Sequence, residues 1–293
     1  NLFKFKSKEK FDFVVSNGVA HHTSNPEKNI DIACKLIKKN GFLILGICTP
    51  EGWFQRNFQR FILFNLSRSE KEIILNSKKL FPAHLKRSSK YGLRSIDSVI
   101  FDTYVNPKIN CVSIEKINQI LKKNKMKLYS SLNYDKLLEP FLNPEFEQHQ
   151  QKLSTFKNFN KKELNLAKIH EFSLGNYTPY YKQYFKYYRS LTNRLSKVVK
   201  QFNDLNFERK KNPSEKNLIH LKKSLIKEPK VHLFDKEKNE IFINEIINVM
   251  KILKLKISNK AKIKFLKKSL NKNKFLFKKY NGVGLNYFVA YKP

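Results

Sequence analysis

Two short apolar runs frame one amphipathic stretch near the start of the chain. Phe11 to Ser16 is apolar and holds the β-branched pair Val14 and Val15, which predicts a buried strand. Asn17-Gly18 ends it, because glycine tolerates backbone angles that other residues avoid. Asn25-Pro26 fits a helix start: Asn can cap, and Pro at the first position loses no needed donor. Ile30, Ala33, Cys34 and Ile37 recur at i, i+3, i+4 and i+7, one apolar helical face. Lys38 and Lys39 suit the negative end of the helix dipole, and Gly41 is the expected stop. Phe42 to Ile47 then reads as a second buried strand. Strand, helix and strand over this length make one βαβ unit, with parallel strands and a right-handed crossover.

The periods change further along. Trp53, Phe54, Phe58, Phe61 and Ile62 lie at helical spacing, a stripe that belongs to a core or covers a substrate mouth. Ser67 to Lys90 is polar and in part helical, and Asp97 to Pro107 is loop-like and ends in Asn-Pro. Ser113 can cap a helix whose apolar residues are Ile114, Ile117, Ile120 and Leu121. Met126, Leu128, Ser130 and Leu132 alternate with Lys127, Tyr129 and Ser131, a strand pattern. From Leu137 to Gly282 the chain is helical, Lys-rich and almost free of Gly. Within it Tyr180, Tyr181, Tyr184, Phe185 and Tyr188 form an aromatic face among Lys182, Lys186 and Arg189. That face suits base stacking, though packing on neighbouring helices is favoured. Asp204 to Lys230 reads as a linker plus a short helix, and Ile243, Ile246, Ile247 and Met250 make another helical face. Gly284 to Pro293 alternates again. It is expected to pair antiparallel beside Met126 to Leu132, covering an otherwise unpaired edge.

Composition narrows the classes. The 293 residues suffice for one large domain or two modest ones, and 41% hydrophobic content argues against general disorder. Cys34, Cys48 and Cys111 form no CxxC pair, so neither a disulfide framework nor a zinc site is suggested, and a reduced cytoplasmic compartment fits. No apolar run approaches the ~18 residues that span a bilayer. The net charge of +35 invites a nucleic-acid reading. Only 8 of the 59 basic residues are Arg, however, and the abundant Lys is scattered on polar helix faces, as an AT-rich genome would impose. Solvated faces are the favoured reading. The charge still suits anionic partners: phosphorylated metabolites, anionic lipid surfaces or RNA.

FDFVVSNGVAHHT, then PEK, then KKNGFLILGI, resembles the second half of a class I S-adenosylmethionine-dependent methyltransferase. The resemblance covers roughly Asn1 to Tyr134 and the last dozen residues. It implies that Phe11 to Ser16 is the fourth strand, Phe42 to Ile47 the fifth, Met126 to Leu132 the sixth and the tail the closing antiparallel seventh. TPEGWFQRNFQRFILF resembles the helical lid that often follows the fifth strand. The implied fold class is α/β: the C-terminal half of a Rossmann-like sheet, residues 1–136 and 283–293, with a large helical insertion or second domain at 137–282. The family's Gly-rich loop and ribose-holding acid are not found. The chain is therefore expected to begin near the end of the third strand, with half the cofactor site outside it, and to be inactive alone.

In open α/β sheets ligands sit beyond the carboxyl ends of the strands, here Ser16 to His22 and Cys48 to Trp53. The resemblance implies S-adenosylmethionine as cofactor, with Asn1, Ser16, Asn17, Gly18 and His22 on its side. His21 is the candidate catalytic base, since His titrates near neutral pH. A structural role is the favoured reading for His22 and an equal one for His21. The substrate candidates are Trp53 and, from an Asp-x-Tyr-x-x-Pro-like element, Asp102, Tyr104 and Asn106; ordinary turn chemistry is an equal reading for the last three. Two adjacent His without carboxylates make a poor metal site, so none is assigned. Two functions compete. One is methyl transfer to a small-molecule, sugar or lipid acceptor. The other is a basic helical binding module, for RNA, on a non-catalytic α/β half.

Overall fold

Strands β1 (Phe11–Asn17) and β2 (Ile37–Ile47) lie side by side and parallel, joined by helix α1 (Pro26–Lys35). This is a computed structural model that describes residues 2–5, 7–106, 109–131, 161–172, 185–203, 213–226, 236–278 and 285–293. Asn25 caps α1, its side chain accepting from the Lys28 N–H at 2.9 Å, and Pro26 takes the first helical position. The helix ends sooner than its apolar period suggests. Ile37, expected on the helical face, is already strand and pairs with Phe11. Asn40, with φ 63°, takes the left-handed turn expected of Gly41. Gly41 answers a different demand: a Cβ there would lie 2.8 Å from the Asp12 carbonyl oxygen.

The sheet runs β1-β2-β4-β3, with β3 at Lys127–Ser131 and β4 at Asn286–Tyr291. β4 is antiparallel to both neighbours, placing Tyr291 opposite Phe42 and Lys127, and Asn286 opposite Ile47. The tail thus covers the edge of β3 as its alternation predicts. β1 departs from expectation. Among the described residues it is an edge strand, and on one of its faces Phe13 and Val15 are 66% and 64% exposed. The other face is the core. Leu43, Leu45, Ile47, Leu128, Phe288 and Ala290 pack there with α1 and with α6 (Ile114–Lys123), whose cap is Ser113 as expected. Cys34 sits in this core, where burial pushes its thiol up to about 12.

The chain divides into two compact units. The first comprises 1–53, 108–193 and 283–293; the second, 54–107 and 194–282. To the first belong the sheet, α1, α6 and α7 (Lys161–Phe172). The second is helical: α2 (Phe54–Leu66), α3 (Glu70–Leu80), α4 (Pro82–Gly92), α5 (Ile96–Ile100), a π-helical turn (Phe101–Val105), α9 (Glu215–Ile226), α10 (Lys236–Lys254) and α11 (Asn259–Lys272). Helix α8 (Phe185–Phe202) has residues in both. The aromatic stripe of α2 is core: Phe54, Phe58 and Phe61 pack edge-on against Phe202 at 5.2–5.5 Å.

The stretch 97–107, read as a loop, is helical through Val105. Ser95 caps it, accepting from the Ser98 N–H, and Val99, Ile100, Thr103 and Tyr104 bury one face. Turn-rich composition hid that period. Asn1, Leu132, Tyr180, Tyr181 and Tyr184 lie outside the described residues. Among the described residues no helix is long and apolar enough to cross a membrane.

Candidate active site at the strand ends

Everything gathered at the carboxyl ends of β1 and β2 belongs to the first unit. Gly18, with φ 72°, turns the chain away from β1, and its N–H donates to the Gly46 carbonyl at 2.9 Å. Space above Gly18 is open: a Cβ there would meet only Leu285, at 3.7 Å. Asn17 is exposed, and its side chain lies over Gly46, where a Cβ would collide with its Oδ1. Ser16 is buried on the opposite face. A short turn, Ala20–His22, follows. His21 is 3% exposed, its ring 4.3 Å from that of His22 and 6.4 Å from that of Trp53. The segment before α6 laces the two strand-end loops together. Asn110 N–H donates to the His21 carbonyl at 2.8 Å, and Val112 N–H to the Cys48 carbonyl at 3.0 Å.

Beneath these loops lies a buried polar knot that no local pattern announces. Thr49, just past β2, donates its hydroxyl to Glu171 Oε1 at 2.6 Å. Asn286, at the start of β4, donates to Thr49 Oγ1 at 2.7 Å and to Glu171 Oε1. All three are essentially without solvent contact. Glu171 lies near the C-terminus of α7, where the helix dipole disfavours negative charge, so these donors are what hold its carboxylate there. Gly52 closes the knot: a Cβ there would come within 2.9 Å of Thr49 Oγ1.

Glu51 adjoins this knot in sequence and is 4% exposed. Its Oε2 is buried with no hydrogen-bond partner among the described residues. Burial pushes its carboxyl up to about 7; Lys168 opposes the rise and Glu115 adds to it. Lys168 and Glu115 are themselves ion-paired across α7 and α6. A carboxyl poised near neutrality can hold or release a proton under ordinary conditions. Sequence reasoning missed Glu51, Glu171, Thr49 and Asn286. An acidic residue in the TPEGW loop of a chain with only 24 acids was the available signal. Among the described residues no group of His, Cys, Asp and Glu could hold a metal ion.

The structure does not gather all the predicted residues into one unit. Ser16, Asn17, Gly18, His21, His22 and Trp53 are in the first, whereas Asp102, Tyr104 and Asn106 are in the second. There Asp102 pairs with Arg94 at 3.1 Å, and the Asn106 carbonyl accepts from Arg60 at 2.9 Å. Tyr104 has no exposed surface; its hydroxyl donates to Gln59 Oε1 at 2.9 Å and lies 2.6 Å from His84 Nδ1. Burial raises the Tyr104 phenol and holds His84 far below its ordinary range, so both are neutral.

Residues 1–45 match the family model described as "Methyltransferase domain". The solved structure of PKMT2 from Rickettsia typhi is similar with a TM-score of 0.34 and 20% identity, over 44% of this chain and 28% of that one. The chain thus spans less than a third of that protein's length, and a likeness at that score carries no argument. Comparison with the curated proteins gives no match. The first 45 residues are thus similar to a methyltransferase domain, and they lie in the α/β unit.

Proposed function

We propose that this chain takes part in S-adenosylmethionine-dependent methyl transfer to a small-molecule, sugar or lipid acceptor. One observation carries the reading. The segment matching the methyltransferase domain spans β1, α1 and most of β2, and the end of β1 leads into Asn17, an open Gly18 and His21. The segment that leaves this strand carries the groups an adenosyl cofactor calls for: an exposed amide, room above a left-handed glycine and a buried imidazole. Ser16, Asn17, Gly18 and His22 are the proposed holding residues, together with Asn1. Bound S-adenosylmethionine would supply a methyl group activated by its sulfonium. The acceptor sheds a proton as it gains that methyl, and a ring nitrogen of His21 takes it. Trp53, in the same unit as His21, is the proposed acceptor contact; Asp102, Tyr104 and Asn106, in the other unit, are not assigned to it.

The test uses the natural gene product, methyl-labelled S-adenosylmethionine and a cell extract. Label should pass to an extract component. Asn17→Ala and His21→Ala should each slow transfer by at least about tenfold without unfolding the protein. Wild-type rates in both variants would remove the site assignment, and no transfer by the parent would remove the function.

A further inference from the structure

Beyond this activity, we propose that the surface built from the end of α10, the following turn and α11 docks on an anionic lipid bilayer. The last acidic residue in the chain is Glu245; none follows to Pro293. From Lys251 to Lys278 there are 11 Lys and no Arg. A compositional bias that enriches Lys acts along the whole chain, whereas this acid-free run is local. The acids beside it are occupied: the Glu245 carboxylate accepts the backbone N–H groups of Lys274, Phe275 and Leu276, and Glu215 pairs with Lys254 at 2.7 Å.

The helical period sorts these residues. Leu266 and Leu270 are the buried side of α11, while Lys260, Lys264, Lys267, Lys268 and Lys272 are exposed and fall on one opposite face. Phe265, beside that face, is 52% exposed, and Leu255 and Ile257 in the preceding turn are also exposed. Lysines with interleaved exposed Leu, Ile and Phe describe a helix that lies in a bilayer interface, with cationic heads at the phosphates and apolar side chains beneath them. RNA recognition would call for Arg forks and stacked aromatics, and this surface has neither.

The experiment is co-sedimentation of the full chain with vesicles of phosphatidylcholine alone, or with about a third phosphatidylglycerol. Binding is expected only to the anionic vesicles and should fall as salt rises. Lys260, Lys264, Lys267, Lys268 and Lys272, all changed to Gln, should lower binding more than tenfold. A control with Lys8, Lys39, Lys71, Lys86 and Lys122 changed to Gln removes equal charge elsewhere and should lower it much less. Phe265→Ser should weaken binding several-fold while leaving the far-ultraviolet circular dichroism unchanged. Equal losses in the two lysine variants would show non-specific charge and overturn the proposal. Binding of a single-stranded RNA 20-mer that depends on the same five lysines, without vesicle binding, would overturn it in favour of RNA. Methyl transfer is not read in these assays, so their failure leaves the proposed function untouched.

Discussion

Replacing Glu51 by Gln should make the protein more stable at every pH above the ordinary carboxyl range, and not below it. The carboxyl is buried, and its folded-state value is pushed from the ordinary 4.5 to about 7. Folding therefore takes up a proton anywhere between those two values. Stability attributable to Glu51 falls as pH rises through that window and stays low above it. The span corresponds to about 3 kcal/mol at pH 8, an order of magnitude set chiefly by desolvation and partly offset by Lys168. Gln has the same shape and cannot ionise. The difference between Glu51→Gln and parent should be near zero at pH 4.5 and grow to about 2–3 kcal/mol in favour of Gln at pH 8. Urea unfolding at several pH values measures it, followed by the fluorescence of Trp53, the chain's single Trp. Taking the difference between the two proteins cancels every other titrating group. A difference that stays flat with pH, or a variant less stable at pH 8, would refute the argument.

Glu171→Ala removes the acceptor shared by Thr49 and Asn286 and leaves their donors buried; urea midpoints should show a loss of about 2–3 kcal/mol. Phe288→Ala empties a core position between β2 and β3 and should cost about 3–5 kcal/mol by the same measurement. Gly41→Ala should destabilise by about 1–3 kcal/mol, because the added Cβ meets the backbone of β1 and the buried, β-branched Ile37 side chain. Tyr104→Phe should cost about 1 kcal/mol through the lost bond to Gln59. Because the Tyr104 hydroxyl has no exposed surface, the methyl-transfer rate per folded molecule should be unchanged, and a lower rate would refute its reading as a core residue.

Local chemistry made much of the α/β unit legible. The Asn25 cap, the Ser113 cap and the alternation of the tail each specify structure through neighbours within a few positions. Even the tail's partner could be inferred, since an alternating strand needs an edge and Met126 to Leu132 offered one. Failures arose where a residue answers a distant one. Ile37 fits the helical period yet is drawn into β2 by pairing with Phe11. Gly41 looked like a helix stop, but its smallness serves the approach of β1. The Thr49–Glu171 bond joins residues 122 positions apart, so no window on the sequence contains it. Buried carboxylates follow from tertiary partners, which is why Glu51 and Glu171 escaped a search for motifs.

The position of β4 in the middle of the sheet bears on synthesis at the ribosome. Tyr291 on β4 bonds to Asn40 across 251 positions of chain. At ordinary elongation rates that separation is roughly ten to fifty seconds of translation. From the completion of β3 at Ser131 until β4 begins at Asn286, β2 and β3 have both been made while the strand that belongs between them has not. Each presents an open row of amide donors and acceptors, the template on which a neighbouring nascent chain can pair wrongly. The α/β unit therefore closes as a late, non-local event, and its yield in the cell should depend on chaperones that hold those two strands apart while the helical stretch emerges.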